Sequence, residues 1–376
     1  MVQQTPQRIA RLTPLAEALA VIDAQAKATE PRDADLAGAC GRTLAENVAV
    51  ATDRPPRPLA LRDGWALHSE LTSDAGPYAP AVLPNAPVWR NAGEELPDGA
   101  DAIVPLDAML LDNGRAEVIA AVAPGEGVLP ARAEASAAQP LRRAGEPLRA
   151  VDAAILAGLG ITAVRIREPR LRVVRASRAS PEMIGAAVAL IAAAVTAAGG
   201  VAIADDDAQM PDGFKAALRH EGADAVIAIG GTGSGRDDRS VAALAQAGKL
   251  AFHGIGLMPG ETSAFGLVGT RPALLLPGRM DAALAAWLVL GQRLLARLCG
   301  RNDDEAHATA MLSRKVTSGV GIAQVIPVGR DGDKVEPLAG EYWPLQALAR
   351  ADGWIFVPAD SEGYPAGATV NVRPLP

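Results

Sequence analysis

Apolar positions in this chain change their period several times, and each change marks a boundary between structural regions. Thr13-Pro14 reads as an N-cap followed by proline at the first helical position. Leu15, Ala18, Leu19 and Ile22 then recur at helical spacing, which predicts a helix to about Lys27. Over 48–139 the pattern breaks into short apolar pieces, at 48–51, 81–83, 102–104 and 116–122, separated by Pro and Gly, as in a small β-rich domain. Its lead-in, Arg54-Pro-Pro-Arg-Pro58, lacks amide donors and reads as a rigid connector. A glycine-punctuated apolar stretch over 155–163 predicts a short helix before Glu168-Pro169.

From 169 to 302 strand and helix patterns alternate. Strands are predicted over 171–174, 201–204, 225–229, 251–257 and 273–276, and helices over 181–198, 214–220, 241–247 and 284–298. That order defines a doubly wound α/β sheet, whose ligands sit at the carboxyl ends of the strands. After residues 302–305 the pattern returns to short strands, over 325–328, 354–357 and 369–372. The expected organisation is therefore α/β plus β, an elongated multidomain chain. It has a helical linker domain (1–47 with 140–168), a small β-rich domain (48–139), the α/β domain (169–302) and a C-terminal β domain (303–376).

The segment with the most chemical content follows the strand over 225–229, where Gly230, Gly231, Thr232, Gly233, Ser234, Gly235 and Arg236 run on to Asp237 and Asp238. Glycine tolerates positive φ and has no Cβ, so four glycines in six positions let the backbone approach an anion and aim successive N–H groups at it. A helix starting near Asp238 would add its positive N-terminal end. An ordinary tight turn is the plainer alternative, but one or two glycines suffice for that. The spacing is neither the Walker pattern nor the dinucleotide fingerprint. Two further strand ends carry turn signals, Pro259-Gly260 and Pro277-Gly278, the latter followed by Arg279.

Composition narrows the partners. With 376 residues, 49% of them hydrophobic, the chain can bury several cores. A net charge of −7 with arginines scattered singly argues against a nucleic-acid groove or an anionic membrane surface, leaving small molecules and proteins. Cys40 and Cys299 are far apart and outside any CxxC, and the four histidines are dispersed, so neither a disulfide framework nor a local zinc motif is present. The first residues lack an apolar signal core, and the apolar run over 282–290 is too short to span a bilayer. A cytoplasmic location is the expectation.

Taken in order, Asp63-Gly-Trp-Ala66, Leu96-Pro-Asp-Gly-Ala-Asp101-Ala, Gly145-Glu146, the loop from Gly230 to Asp238, Pro259-Gly260 and Leu276-Pro-Gly278 resemble the MoeA family of molybdopterin molybdenumtransferases, which includes the gephyrin E domain. The resemblance covers nearly the whole chain. It implies a four-part protomer, a homodimer, and a cleft between the α/β domain of one subunit and the small β domain of the other. It also implies the reaction: molybdate enters the dithiolene of adenylylated molybdopterin with the help of a divalent metal such as magnesium, and AMP leaves. Asp63 and Asp238 would be the catalytic acids, and the residues of the three strand-end turns would bind the pterin.

Several side chains of the family pattern are replaced. Ala60 stands for a serine, Arg62 for methionine, Ala92 for threonine, Pro147 for an acid, Gly233 for serine, Arg236 for aspartate, Glu261 for lysine, and Arg279-Met280 for asparagine-proline. The loop over 175–181 is shortened and has lost its acid. Backbone-shaping glycines and prolines persist while polar groups are lost. Magnesium usually takes one or two carboxylates plus phosphate oxygens, so these losses would under-coordinate it. Arg236 and Arg279 would instead meet an anion directly. Asp63 can also be read as a turn residue before Gly64, Glu261 as a solvated loop carboxylate, and residues 205–207 as a helix start rather than a metal site. The metal ligands stay unassigned. The expectation is cofactor binding with weak or absent molybdenum insertion; the alternative is a non-catalytic scaffold, or a protein that delivers the cofactor to a molybdoenzyme.

Overall fold

A computed structural model describes residues 7–112, 114–177, 179–204, 213–301 and 307–376. The acidic triplet at 205–207 and the predicted boundary at 302–305 lie outside the described residues. The chain divides into two compact units. One comprises Met1–Glu46, Ala144–Ala157 and Thr162–Pro376; the other comprises Asn47–Arg143 and Gly158–Ile161.

The centre of the first unit is a six-stranded sheet in the order Val201–Ala204, Arg170–Arg175, Ala225–Ile229, Arg271–Leu276, Ala264–Val268, Lys249–His253. The first four strands run parallel; Ala264–Val268 pairs antiparallel with the fourth, and Lys249–His253 pairs antiparallel with Ala264–Val268 at the edge. Every residue of Ala225–Ile229 is buried, as a strand covered on both faces requires. Side-chain alternation divides the strand between two cores. Ala225, Ile227 and Ile229 join Ile184, Ile191, Trp287 and Leu294 on one face, while Val226 and Ala228 meet Phe214, Leu218, Val241 and Leu244 on the other. Each fully buried Ile or Leu here contributes about 1.5–3 kcal/mol. Helices Pro181–Ala197 and Met280–Ala286, with its continuation to Cys299, thus cover one face, and Gly213–Arg219 and Ser240–Ala247 the other.

Four local expectations need correction. Thr13 does not cap the first helix, Leu15–Gln25; its backbone forms a parallel bridge to Ile255, donating to Gly254 O at 2.9 Å and accepting from Gly256 at 2.8 Å, so Pro14 takes the cap position. The strand predicted over 251–257 ends at His253, and Leu257–Met258 instead pairs in parallel with Ala323–Asp331 of the C-terminal sheet. Between them the chain turns at Gly254, and Ala264–Val268, an apolar run without alternation, supplies the strand that was not foreseen. The helix placed at 155–163 spans Ala150–Gly158, and Ala163–Arg167 is a strand. The apolar run at 282–290 belongs to a continuous helix, Met280–Cys299, long and apolar enough to cross a membrane by length and composition; 78% of its apolar window is buried inside the protein, as in a core helix.

That helix is tied to the N-terminal one by Asp23, which accepts from Arg293 through two 2.6 Å bonds and from Arg297 at 2.9 Å. The Arg293 hydrogen bond is the largest influence holding the Asp23 carboxyl below the usual carboxylate range; desolvation opposes it and Arg297 adds to it. A depressed folded-state pKa gives stability that is present above the unfolded value and lost as pH falls through the folded one. Because all three side chains retain solvent contact, screening limits the contribution to about 0.5–1 kcal/mol. Asp23→Asn should lower the urea midpoint slightly at pH 7 and leave it unchanged near pH 2, with the difference disappearing as pH falls below about 4; an equal loss at both pH values would show that packing, not charge, is responsible.

The C-terminal part of the unit forms a second six-stranded sheet around Val325, Val328, Ile355 and Val357. The other compact unit holds two three-stranded sheets, one from Gly64–Leu67, Val88–Arg90 and Ala102–Val104, the other from Ala81–Val82, Met109–Asp112 and Arg115–Val118. Trp65 and Trp89 meet edge-on with ring centres 5.0 Å apart. Asp101, from the Pro-Asp-Gly-Ala-Asp block, is used structurally: its carboxylate accepts the Ser69 N–H at 2.6 Å and the Ser69 hydroxyl at 2.9 Å.

Candidate functional site

Parallel strands end side by side, so the turns after Arg175, Ile229 and Leu276 gather at one edge of the α/β sheet. Their meeting depends on missing side chains. Gly230 has φ +97°, and a Cβ there would lie 2.8 Å from Ser177 Cβ; a Cβ on Gly278 would lie 3.4 Å from Gly230 Cα. Gly230 N–H donates to Leu276 O at 2.9 Å, and Ala176 N–H to Ile229 O at 2.8 Å, which stitches the three turns together. Gly231, at φ +71°, turns the chain toward the helix Ser240–Ala247 and accepts from Ser240 N–H at 3.1 Å. The helix thus begins two residues after Asp238, with Ser240 folded under the loop; its Oγ is buried beside Gly231 and has no hydrogen-bond partner among the described residues.

The glycine loop is held from outside by groups far away in sequence. Gln7 donates to Gly231 O at 2.7 Å and Gly233 O at 2.8 Å. His253 Nε2 bonds Thr232 O at 2.9 Å; a carbonyl only accepts, so Nε2 carries the proton. The Thr232 hydroxyl pairs with that of Thr262 at 2.8 Å, which links the loop to the turn containing Pro259, Gly260 and Glu261. None of Gln7, His253 and Thr262 has a local sequence signal for this role, since their partners lie 224, 21 and 30 residues away.

The two acids expected to be catalytic each accept a backbone amide. Asp238 closes the loop on itself, accepting from Gly235 N–H at 2.8 Å with its carboxylate against Gly233 and Gly235. Asp63 lies in the other compact unit and accepts from Ala92 N–H at 2.8 Å. Glu261 bends back to its own turn, accepting from Gly260 N–H at 3.1 Å. Arg279 is bound through two bonds, 3.1 and 2.8 Å, to Asp281 and stacks over Tyr342 with its guanidinium carbon 5.1 Å from the ring centre. Asp281, foremost, raises the Arg279 pKa above its ordinary value, with Glu261 and Tyr342 adding to it, so this cation is permanently charged beside the turns. Ser234 and Arg236 are exposed at the loop's tip.

The family resemblance implies magnesium. Among the described residues no three His, Cys, Asp or Glu side chains converge as a cation would require. Asp63, Asp238 and Glu261 are each engaged by backbone amides of their own surroundings, and Asp281 by Arg279 and by Trp343 N–H at 3.1 Å. The described donor set does not fit a hard divalent cation. What the site does offer is the backbone of a glycine loop and a nearby arginine, groups suited to an anion.

These features define a class, the doubly wound molybdopterin-binding domain: residues 178–297 match the family profile described as probable molybdopterin binding domain. Residues 13–160 match the MoeA N-terminal region (domain I and II), and residues 309–375 the MoeA C-terminal region (domain IV). The chain belongs to the MoeA family of molybdenum cofactor biosynthesis proteins. It is 27% identical to molybdopterin molybdenumtransferase 2 of Mycobacterium tuberculosis, over 94% of this chain and 98% of that protein. The molybdopterin biosynthesis MoeA protein of Pyrococcus horikoshii OT3 shares the fold at TM-score 0.77, with 22% identity over 96% of this chain and 99% of that one. A molybdenum cofactor biosynthesis protein of Pyrococcus furiosus superposes at TM-score 0.60, with 21% identity over 96% and 99%.

Proposed function

We propose that this protein binds molybdopterin, in its adenylylated form, at the turns of residues 230–235, 259–260 and 277–279, and that it inserts molybdenum weakly or not at all. The observation that carries this reading is the convergence of these turns: those after Arg175, Ile229 and Leu276 pack together through Gly230, Gly231 and Gly278, and the paired Thr232 and Thr262 hydroxyls join the loop to the turn of Pro259 and Gly260. Phosphate oxygens suit such amides and hydroxyls, and Arg279 supplies charge. The replaced side chains at 92, 147, 236 and 261, together with the engaged acids, weigh against metal-assisted insertion. Binding without turnover also suits delivery of the cofactor to a molybdoenzyme, the second reading.

Gly233→Ala is the discriminating variant, because its Cβ would stand 2.8 Å from Asp238 Oδ2 and displace the carboxylate that closes the loop. Gly231 is less suitable, since its φ of +71° and a Cβ contact of 3.1 Å with Ala176 O would strain the backbone as well. Calorimetric titration should show molybdopterin bound by the parent and held at least about tenfold more weakly by Gly233→Ala, a loss of about 1.4 kcal/mol. Equal affinity in the two folded proteins places the pterin elsewhere. A homodimer in a cytoplasmic setting completes the proposal, and sedimentation should return twice the 38.5 kDa chain mass; a monomer at micromolar concentration overturns that part.

A further inference from the structure

We infer that Gln7, at the start of the described chain, is a positioning residue that aims the amides of the glycine loop at the ligand; this rests on the binding role proposed above. Its amide group is almost fully used. Both Nε2 hydrogens go to loop carbonyls, Gly231 O at 2.7 Å and Gly233 O at 2.8 Å, and Oε1 accepts the Ala242 N–H at 3.4 Å in the first turn of the following helix. The peptide bond makes the consequence geometric. In a trans peptide the carbonyl of one residue and the N–H of the next point in opposite directions. Fixing the carbonyls of 231 and 233 on Gln7 therefore turns the N–H groups of Thr232 and Ser234 away from it, toward the opposite side of the loop. His253 does the same for the intervening peptide by holding Thr232 O, which turns the Gly233 N–H away from the imidazole.

Three successive carbonyls are thus held by side chains, and three successive amides are oriented by default. Glycines alone would leave such a loop free to sample many arrangements, since each costs conformational entropy to order. The segment that carries Gln7 is itself seated firmly. Ile9 packs against Gly254, where a Cβ would come within 2.4 Å of Ile9 Cγ2, and Thr13 exchanges backbone hydrogen bonds with Gly254 and Gly256. Gly254 adjoins His253, so one turn anchors both the strap and the second loop clamp. Preorganised donors of this kind need no rearrangement when an anion arrives.

The test compares the parent with Gln7→Ala and Gln7→Glu, using inorganic pyrophosphate and molybdopterin as probes and amide hydrogen exchange as an independent reading of the loop. Glutamate has the shape of glutamine but at neutral pH donates no hydrogen bond, so a space-filling role would leave it unaffected. Losing the two donated bonds should speed exchange at Ser240 by about five- to fiftyfold in both variants, and at Ala242 in Gln7→Ala, which also loses the Oε1 acceptor, and should weaken both probes at least about fivefold. Unchanged exchange, or parent-like behaviour of Gln7→Glu, overturns the clamp. Faster exchange with unchanged probe affinity overturns the positioning role while leaving the binding site intact. If the parent binds neither probe, the binding reading fails, and the exchange measurements still decide whether Gln7 holds the loop.

Discussion

Molybdate insertion by this protein should run at least about two to three orders of magnitude slower than by the M. tuberculosis transferase to which it is similar, in side-by-side reconstitution with adenylylated molybdopterin, molybdate and Mg²⁺. Losing one preorganised charged or polar donor from a reacting centre typically costs about 2.7–4 kcal/mol in barrier height. Here Ala92, Pro147, Arg236 and Glu261 stand where the MoeA pattern has threonine, an acid, aspartate and lysine. The remaining acids are committed as well: Asp238 closes its own loop and Asp63 holds the Ala92 amide. Release of AMP at a rate matching the transferase would sink this expectation and point to replacement ligands; retained pterin binding with a flat time course is the result foreseen.

Asp281→Ala should destabilise the unit formed by the α/β and C-terminal sheets by about 2–3 kcal/mol, read as a lower urea midpoint. Asp281 is only 3% exposed, and its carboxylate joins Arg279 of one strand-end turn to the N–H of Trp343, a residue 1% exposed in the C-terminal part of the chain. Removing it strands that buried N–H, whereas Arg279, about half exposed, returns to water at little cost. Asp281→Asn keeps an acceptor for Trp343 and should lose less than half as much. Equal losses in the two variants would shift the weight from the Trp343 bond to the Arg279 ion pair. In the alanine variant Arg279 is also released from its place over Tyr342, so pterin affinity should fall with stability.

Much of the fold was legible because burial has a period. Ala225–Ile229 is apolar at every position over a strand's length and runs into glycines, as a strand covered on both faces does, and the turns after it and after Leu276 announced themselves by glycine and proline. The antiparallel strand Ala264–Val268 was not legible, because Ala-Phe-Gly-Leu-Val has neither alternation nor helical spacing. Thr13 carried a local capping signal that a tertiary bridge to Ile255 overrode. The glycine loop was recognisable as a place where backbone approaches something closely, yet what approaches it includes Ser177 and Gly278 of the protein itself.

Residue order by itself determined the architecture and the family, since hydrophobic period, turn chemistry and motif order are local properties of the chain. Tertiary structure alone decided what each candidate touches. Asp238 is a loop closure because its own amides reach it first, Arg279 is held by a buried aspartate, and the loop's amides are aimed by Gln7 and His253. Hydrogen bonds act over about 3 Å whatever the separation along the chain, so a partner 224 residues away leaves no mark in the pattern around the loop it controls.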